Sequence, residues 1–382
     1  MANCEFSKKI TKITPDDNYH YFFGYYDLYP YDTAGKYHLA HRVKFADRLP
    51  EKDDICEVGV IDLSKRKFIK ISQTSAWNFQ QGAFLNWYND NSIIHNVFVG
   101  DKLCSVIKDL SGNTIRVLPM PIASISQDKK WALSINFARI FSFRPGYGYA
   151  AAIDEFESEK APEKDGVYLL NTITGESKLI ISYSELAKTF PQKPFTDDKL
   201  VINHVTFNPS ASKFIMLFRN QPQPGGKRGT QLLVVNVADK TVQKMTDYQV
   251  NSHYSWKNDN EFMIWSLLEE GKGIYFFNVL TGERKRLDNE ILDKDDIHCL
   301  FSPNLKHFIG DSYPYVDGYR HVYKYNFEDG SVEDLIKVKH KEPKIGDIRC
   351  DLHARYHNNS KTISFDGFFE EYRAIYQMDL GE

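Results

Sequence analysis

The sequence predicts an all-β fold: a seven-bladed β-propeller of four-stranded blades, with the N-terminal strand closing the last blade. Three observations carry this. One strand-and-turn signature recurs about seven times along the 382 residues. Each copy is preceded by a strand, a polar turn and a second strand. The last copy stops before a fourth strand, while the N-terminus offers a strand with no blade of its own.

The signature reads GVIDLSKRK at 59–67, SVIKDLSGN at 105–113, VYLLNTITGE at 167–176, LLVVNVADK at 232–240, IYFFNVLTGE at 274–283, VYKYNFEDG at 322–330 and IYQMDLGE at 375–382. Each is an apolar, β-rich run closed by Asp, Asn, Gly or Lys, which is hairpin chemistry. Copies recur at roughly 40–60 residues, the period of propeller blades. The upstream half is clearest in HVTFNPSASKFIMLF at 204–218, HYSWKNDNEFMIW at 253–265, HCLFSPNLKHFIG at 298–310 and HARYHNNSKTISF at 353–365. With an outer strand such as ERKRL at 283–287, each unit has four strands. At the ends, Phe6–Thr14 is expected to pair into the last blade and leave no open edge there. The chain 1–382 reads as one domain, with an insertion at 141–166 in the third blade and a short helix in SYSELAKTF, within the stretch at 183–199.

Composition narrows the function. Aromatic residues are 14% of the chain, suited to half-buried strands. The net charge of −3 points away from nucleic acid or an anionic membrane as the main partner. No apolar run approaches the roughly 18 residues of a membrane span, and the N-terminus lacks the apolar core of a signal peptide. Five scattered cysteines form no C-x-x-C pair, so a reducing, cytoplasmic location is expected.

Repeat register then selects candidate site residues. Inner strands of a propeller start on one face of the disc, where second strands end. Three residues before the signature aromatic, four consecutive blades carry His204, His253, His298 and His353. Equivalent positions converge on the axis, and neutral imidazoles suit a divalent metal. Structural histidines bonding loop backbone are the other reading of the same register. Arg42, Arg139 and Arg219 are placed at second-strand ends on that face, where guanidinium groups match carboxylate or sulfate. The insertion brings Arg144, Tyr147 and Tyr149 in a stiff basic, aromatic loop. Tyr25, Tyr26 and Asp27 stand at the channel entrance of the first blade, and Gln81 at that of the second. Arg349 and Asp351 flank His353, where Asp351 could orient an imidazole or cap a turn.

With YHYFFGYYD at 19–27, FARIFSFRPGYGY at 137–149 and DLHARY at 351–356, the chain resembles a bacterial family of capsule and exopolysaccharide gene clusters. More distantly it is similar to the oligogalacturonate lyases and ulvan lyases, which are seven-bladed propellers. The first of these resemblances to lyases implies a divalent metal held by axial histidines and a glutamine. Cys350 stands at the glutamine's place here.

Together these readings lead to an expected β-elimination on an acidic, uronate-containing oligosaccharide or polysaccharide. Arg139, Arg144, Arg219 or a histidine-bound metal would neutralise the sugar carboxylate. His204 or another axial histidine, Tyr147 or Tyr149 would move protons. One divalent ion (Mn, Zn or Ca) on His204, His253, His298 and His353 is expected, and no nucleotide cofactor. Tyr25, Tyr26, Asp27, Gln81, Arg42 and Arg349 would bind substrate. The expected assembly is a monomer or weak homo-oligomer without membrane insertion. Two alternatives stay open: a capsule or exopolysaccharide biosynthesis protein, and a non-catalytic propeller that binds glycan or protein.

Overall fold

The structure, a computed structural model, describes residues 4–191, 198–222, 226–340 and 346–381. Glu382, the end of the last repeat copy, and 192–197 of the stretch at 183–199 lie outside them. The repeat folds as seven antiparallel sheets whose repeat strands run from the axis outward in chain order. The first blade is His20–Phe22, Tyr37–Val43, Cys56–Asp62 and Lys67–Thr74. The second is Asn86–Asn89, Ser92–Val99, Lys102–Asp109 and Thr114–Leu118. Ser124–Ile125, Trp131–Ser134, Gly166–Asn171 and Ser177–Ser182 form the third. Lys199–Phe207, Lys213–Gln221, Thr230–Asn236 and Val242–Lys244 form the fourth. The fifth holds Val250–Trp256, Glu261–Leu268, Gly271–Asn278 and Arg284–Leu287. The sixth holds Ile297–Phe301, His307–Ser312, Arg320–Asn326 and Val332–Val338. Arg355–Tyr356, Thr362–Gly367 and Ala374–Asp379 are the chain-terminal strands of the seventh.

The signature's Asp or Asn has a local physical task. Its side-chain oxygen accepts backbone N–H groups just beyond the strand: Ser64 and Lys65 on Asp62, Ile173 and Thr174 on Asn171, Leu280 and Thr281 on Asn278. These Asx turns send the chain back as the outer strand. The faces between blades are filled by buried Leu, Ile, Val and aromatic side chains.

Closure follows the expected pairing and adds a second one. Ile10–Lys12 lies antiparallel on Ala374–Asp379 as the outer strand of the seventh blade. Ile13 follows, 2% exposed, with its N–H donating to Ile375 O at 2.9 Å. Burying such a side chain contributes about 1.5–3 kcal/mol. The segment read as one strand, Phe6–Thr14, is two: Cys4–Phe6 pairs instead with Val332–Val338 and gives the sixth blade a fifth strand. The polar Ser7-Lys8-Lys9 stretch carries the chain from one blade to the next.

The third-blade insertion corrects one placement. The second strand ends at Ser134, and Asn136 then caps a helix, α1 (Phe137–Phe143), by accepting the Arg139 N–H. Arg139 therefore belongs to α1, not to a strand end. Helix α2 (Tyr183–Thr189) forms where expected, started by a capping box between Ser182 and Glu185.

Candidate functional site

Tyr25 sits on the axis among all four register histidines. Its ring stacks on His204, with centroids 4.8 Å apart, and meets His353 at 5.0 Å, His298 at 5.9 Å and His253 at 6.3 Å. Bulges aim some of these side chains. Pairing slips between Asn203 and Val205, and between Asn251 and Tyr254. His204 and His353 hold φ of +58° and +42°, a left-handed backbone that costs roughly 1–3 kcal/mol at a residue with a side chain and concentrates at functional sites.

The four imidazoles have different partners. Gln81 Nε2 donates to His204 Nδ1 at 3.0 Å, which leaves the Nε2–H of His204 facing the Tyr25 hydroxyl at 3.4 Å. Both nitrogens of His204 are thus engaged. His253 Nδ1 meets the Asp296 carboxylate at 2.9 Å. His298 donates through Nδ1–H to Asp311 at 3.0 Å, and His353 through Nδ1–H to the Gly24 carbonyl at 2.8 Å. In the neutral rings those two bonds fix the tautomer and leave the lone pair on Nε2. Both Nε2 atoms are buried and have no hydrogen-bond partner among the described residues.

The structure brings ligand atoms of His298, His353 and Asp351 within 4.8 Å of one another, all three residues buried. Burial raises the Asp351 carboxyl, but Arg349, then His298 and Arg320, outweigh it and hold it at about 2. Arg349 grips Asp351 through two contacts, of 3.0 and 2.8 Å. Burial opposes a proton on His298, yet Asp311, Asp351 and Asp296 raise its pKa overall. Two converging imidazole lone pairs beside an ionised carboxylate fit a divalent metal. Of the four-histidine set, His204 and His253 lie outside this group: their ring nitrogens face Gln81, Tyr25 and Asp296.

Beside the group opens a cavity of about 320 Å³, lined by Arg144, Tyr147, His204, Arg219, Arg228, Ser252, His253, Asp296 and Tyr313. Arg219 is 7% exposed; its Nη2 donates to Asn251 O at 3.4 Å, its Nε is unpartnered, and no carboxylate pairs with it among the described residues. Burial and then Arg144 push its pKa down to about 10. Arg144 lies 4.2 Å over the Tyr147 ring and bonds Asp347 through Nε at 3.0 Å. The two glycines of RPGYGY allow this close packing. A Cβ on Gly146 would fall 1.9 Å from Asp347 Cβ, and one on Gly148 2.3 Å from Phe141 N. Arg228 is exposed and reaches over Phe143. Burial lowers His253, keeping it neutral, and raises Asp296 to about 7.

Other expected site residues are placed differently. Arg139 is fully buried, donating to Leu200 O at 2.6 Å, Lys160 O at 2.7 Å and Glu159 O at 2.8 Å, with Asp154 as its ion-pair partner. Tyr149 stacks on Phe137, and its hydroxyl accepts from Asn96. Arg42 pairs with Glu57 and Asp17 beside Tyr19. None of the three lines the cavity. Arg349 stands behind the wall, donating to the hydroxyls of Tyr147 at 3.0 Å and Tyr313 at 3.3 Å. Tyr26 donates to Tyr254 O. Asp27 accepts from Thr206 and, with Tyr25, Gln81 and His204, lines a separate axial cavity of about 170 Å³ that runs toward the far ends of the inner strands. Register reasoning missed Ser252, Asp296, Tyr313 and Arg228.

Comparison with solved structures agrees with the fold. An oligogalacturonate lyase in complex with manganese superposes with a TM-score of 0.70 at 16% identity, covering 100% of this chain and 95% of that one. An oligogalacturonate lyase from Vibrio parahaemolyticus gives 0.66 at 15% identity, covering 100% and 97%. The β-propeller domain of the Trilobed protease from Pyrococcus furiosus gives 0.52 at 11%, covering 96% and 97%. The chain thus shares the propeller fold of these proteins. No family model matches the chain, and no curated protein does. The capsule-cluster resemblance finds no support in these comparisons.

Proposed function

We propose that this propeller is a lyase that cleaves a uronate-containing glycan by β-elimination. The observation that carries the reading is Arg219, a buried guanidinium open to the cavity and without a carboxylate partner among the described residues. An unpaired buried cation is costly unless an anion joins it. A sugar carboxylate supplies that anion, with Arg144 and Arg228 on the same wall.

Pairing with Arg219 withdraws charge from the carboxylate and makes the proton on the adjoining carbon more acidic. Neutral His253, its Nδ1–H held by Asp296, presents Nε2 and takes that proton. The freed electron pair forms a carbon–carbon double bond, and the bond to the neighbouring glycosidic oxygen breaks. Tyr147 accepts a hydrogen bond from Arg349, so its own O–H is free to protonate the leaving oxygen. The proton on His253 returns to the Tyr147 phenolate through solvent, restoring both groups. His298, His353 and Asp351 would hold a divalent ion beside His253; the manganese complex of the fold neighbour supports this at the coarse level of architecture. Such an ion, when bound, supplies positive charge against the electron density building up on the carboxylate.

The test is incubation of the full chain with galacturonate, glucuronate and iduronate oligosaccharides, in the presence of manganese, while following the ultraviolet absorbance of unsaturated uronate. Absorbance should grow with one of these classes and vanish in Arg219→Met and His253→Ala. Flat traces with all three overturn the reading.

A further inference from the structure

A third cavity, of about 400 Å³, lies in the groove between the fifth and sixth blades. We infer that it binds a neutral hexose unit of the same glycan, outside the arginine-lined cavity. The inference rests on the glycan reading above for the identity of the chain, and on separate residues for the contact.

The groove is built on one face of the sixth blade. His321 and Tyr323 alternate along Arg320–Asn326, and their cross-strand partners are Lys337 and Asp334. Tyr315, from the preceding loop, stacks on His321 at 4.9 Å, and His321 stacks on Tyr323 at 5.2 Å with 6° between planes. The two phenol hydroxyls meet at 3.3 Å, and His321 Nδ1 is held by Asp334 at 2.8 Å. The result is a cluster of three rings in fixed orientation, in which buried His321 and Tyr323 hold half-buried Tyr315 at the groove. Rigid aromatic side chains offer large contact area at low entropic cost. A pyranose presents one face of C–H groups to such a surface.

Charge separates this groove from the central cavity. Lys294 and Lys337 are matched by Asp317 and Asp334, whereas the central cavity holds Arg144, Arg219 and Arg228 against Asp296 alone. A balanced set of donors and acceptors suits sugar hydroxyls and offers no excess charge to a carboxylate. The two sites also draw on one loop. Tyr313 lines the central cavity, and Tyr315, two residues on in the same loop, lines the groove. Two residues of extended chain span roughly 7 Å, about the length of one or two sugar units. In this reading a glycan seated by its uronate extends past this loop to Tyr315.

The experiment is a glycan array of neutral hexose oligomers, uronate oligomers and mixed oligomers. It is probed with the full-chain wild type, Tyr315→Ala, Tyr315→Phe, Lys294→Ala and Arg219→Met. Tyr315→Ala should weaken neutral and mixed spots about tenfold, which is about 1.4 kcal/mol, and leave pure uronate spots unchanged. Tyr315→Phe keeps the ring face and should retain most of the signal. Exposed Lys294 can be removed without disturbing the core, so weakened neutral binding in Lys294→Ala supports the groove even if Tyr315→Ala folds poorly. Arg219→Met should do the reverse, losing uronate spots only. Neutral binding without uronate binding would retain the groove and overturn the central reading. Neutral spots that stay dark with wild type, or stay bright in both Tyr315→Ala and Lys294→Ala, overturn the groove.

Discussion

The Nδ1–H of His298 donates to the Asp311 carboxylate across 3.0 Å, and both side chains are sealed from solvent. This pair engages Nδ1 of His298 and leaves its buried Nε2 unpartnered in the group with His353 and Asp351. Asp311→Asn removes the charge that fixes the tautomer, and loss of such an outer partner typically costs 10–100-fold in metal affinity. We therefore expect manganese binding, measured by calorimetry, to weaken by roughly that factor while the fold is kept. Equal affinities in the two proteins would remove the metal from the account.

Arg219 gives a prediction with an unusual sign. Replacing a buried, uncompensated cation by an apolar side chain of similar length is neutral or stabilising. Arg219→Met should melt at the same temperature as wild type or higher, and should lose about 10²–10³ in turnover of a uronate substrate. A marked drop in melting temperature would mark Arg219 as structural.

Arg139 and Arg144, five residues apart, should behave oppositely. Arg139 is fully buried and tethers Leu200, Glu159 and Lys160 through their carbonyls, so Arg139→Ala should cost about 3–5 kcal/mol in denaturant unfolding. Arg144 is partly exposed at the cavity wall; Arg144→Ala should cost within about 1 kcal/mol and weaken anionic glycan binding. Similar losses of stability would contradict the division.

Acid should unfold the ring through histidines remote from the cavity. Burial depresses His38 and His41 to about 3, where they serve as neutral partners of Ser364 and of the Ala83 N–H. In the unfolded chain they titrate near 6.5. Between these values the unfolded state binds more protons, so stability is full above about pH 6.5 and falls as pH drops toward 3. Each histidine adds a slope of up to about 1.4 kcal/mol per pH unit in that window. Chemical denaturation from pH 7 to 4 should show the slope, and His38→Gln should reduce it. A flat profile would contradict the assignment.

The residues show what repetition makes legible. A propeller converts one repeat position into one radius, so His204, His253, His298 and His353 could be drawn together from register alone, and all four surround Tyr25. Register cannot see partners that reach between blades. Asp296 precedes His298 by two residues but holds His253 of the blade before. Arg228 lies in the loop between the second and third strands of the fourth blade, a connection whose length differs from copy to copy. Arg139 was misplaced because one capping side chain, Asn136, converts the end of a strand into a helix. The three-way meeting of His298, His353 and Asp351 depends on tautomers, and those depend on Asp311 and on the Gly24 carbonyl, the latter a backbone group with no sequence signal.

The most direct measurement asks whether solvent oxygen enters the product. Cleavage of a uronate oligosaccharide by the full chain in oxygen-labelled water, followed by mass spectrometry, distinguishes elimination from hydrolysis. Elimination predicts unlabelled fragments whose masses sum to that of the substrate, one of them carrying a double bond. Fragments that gain one labelled water would contradict it and assign the cavity to hydrolysis.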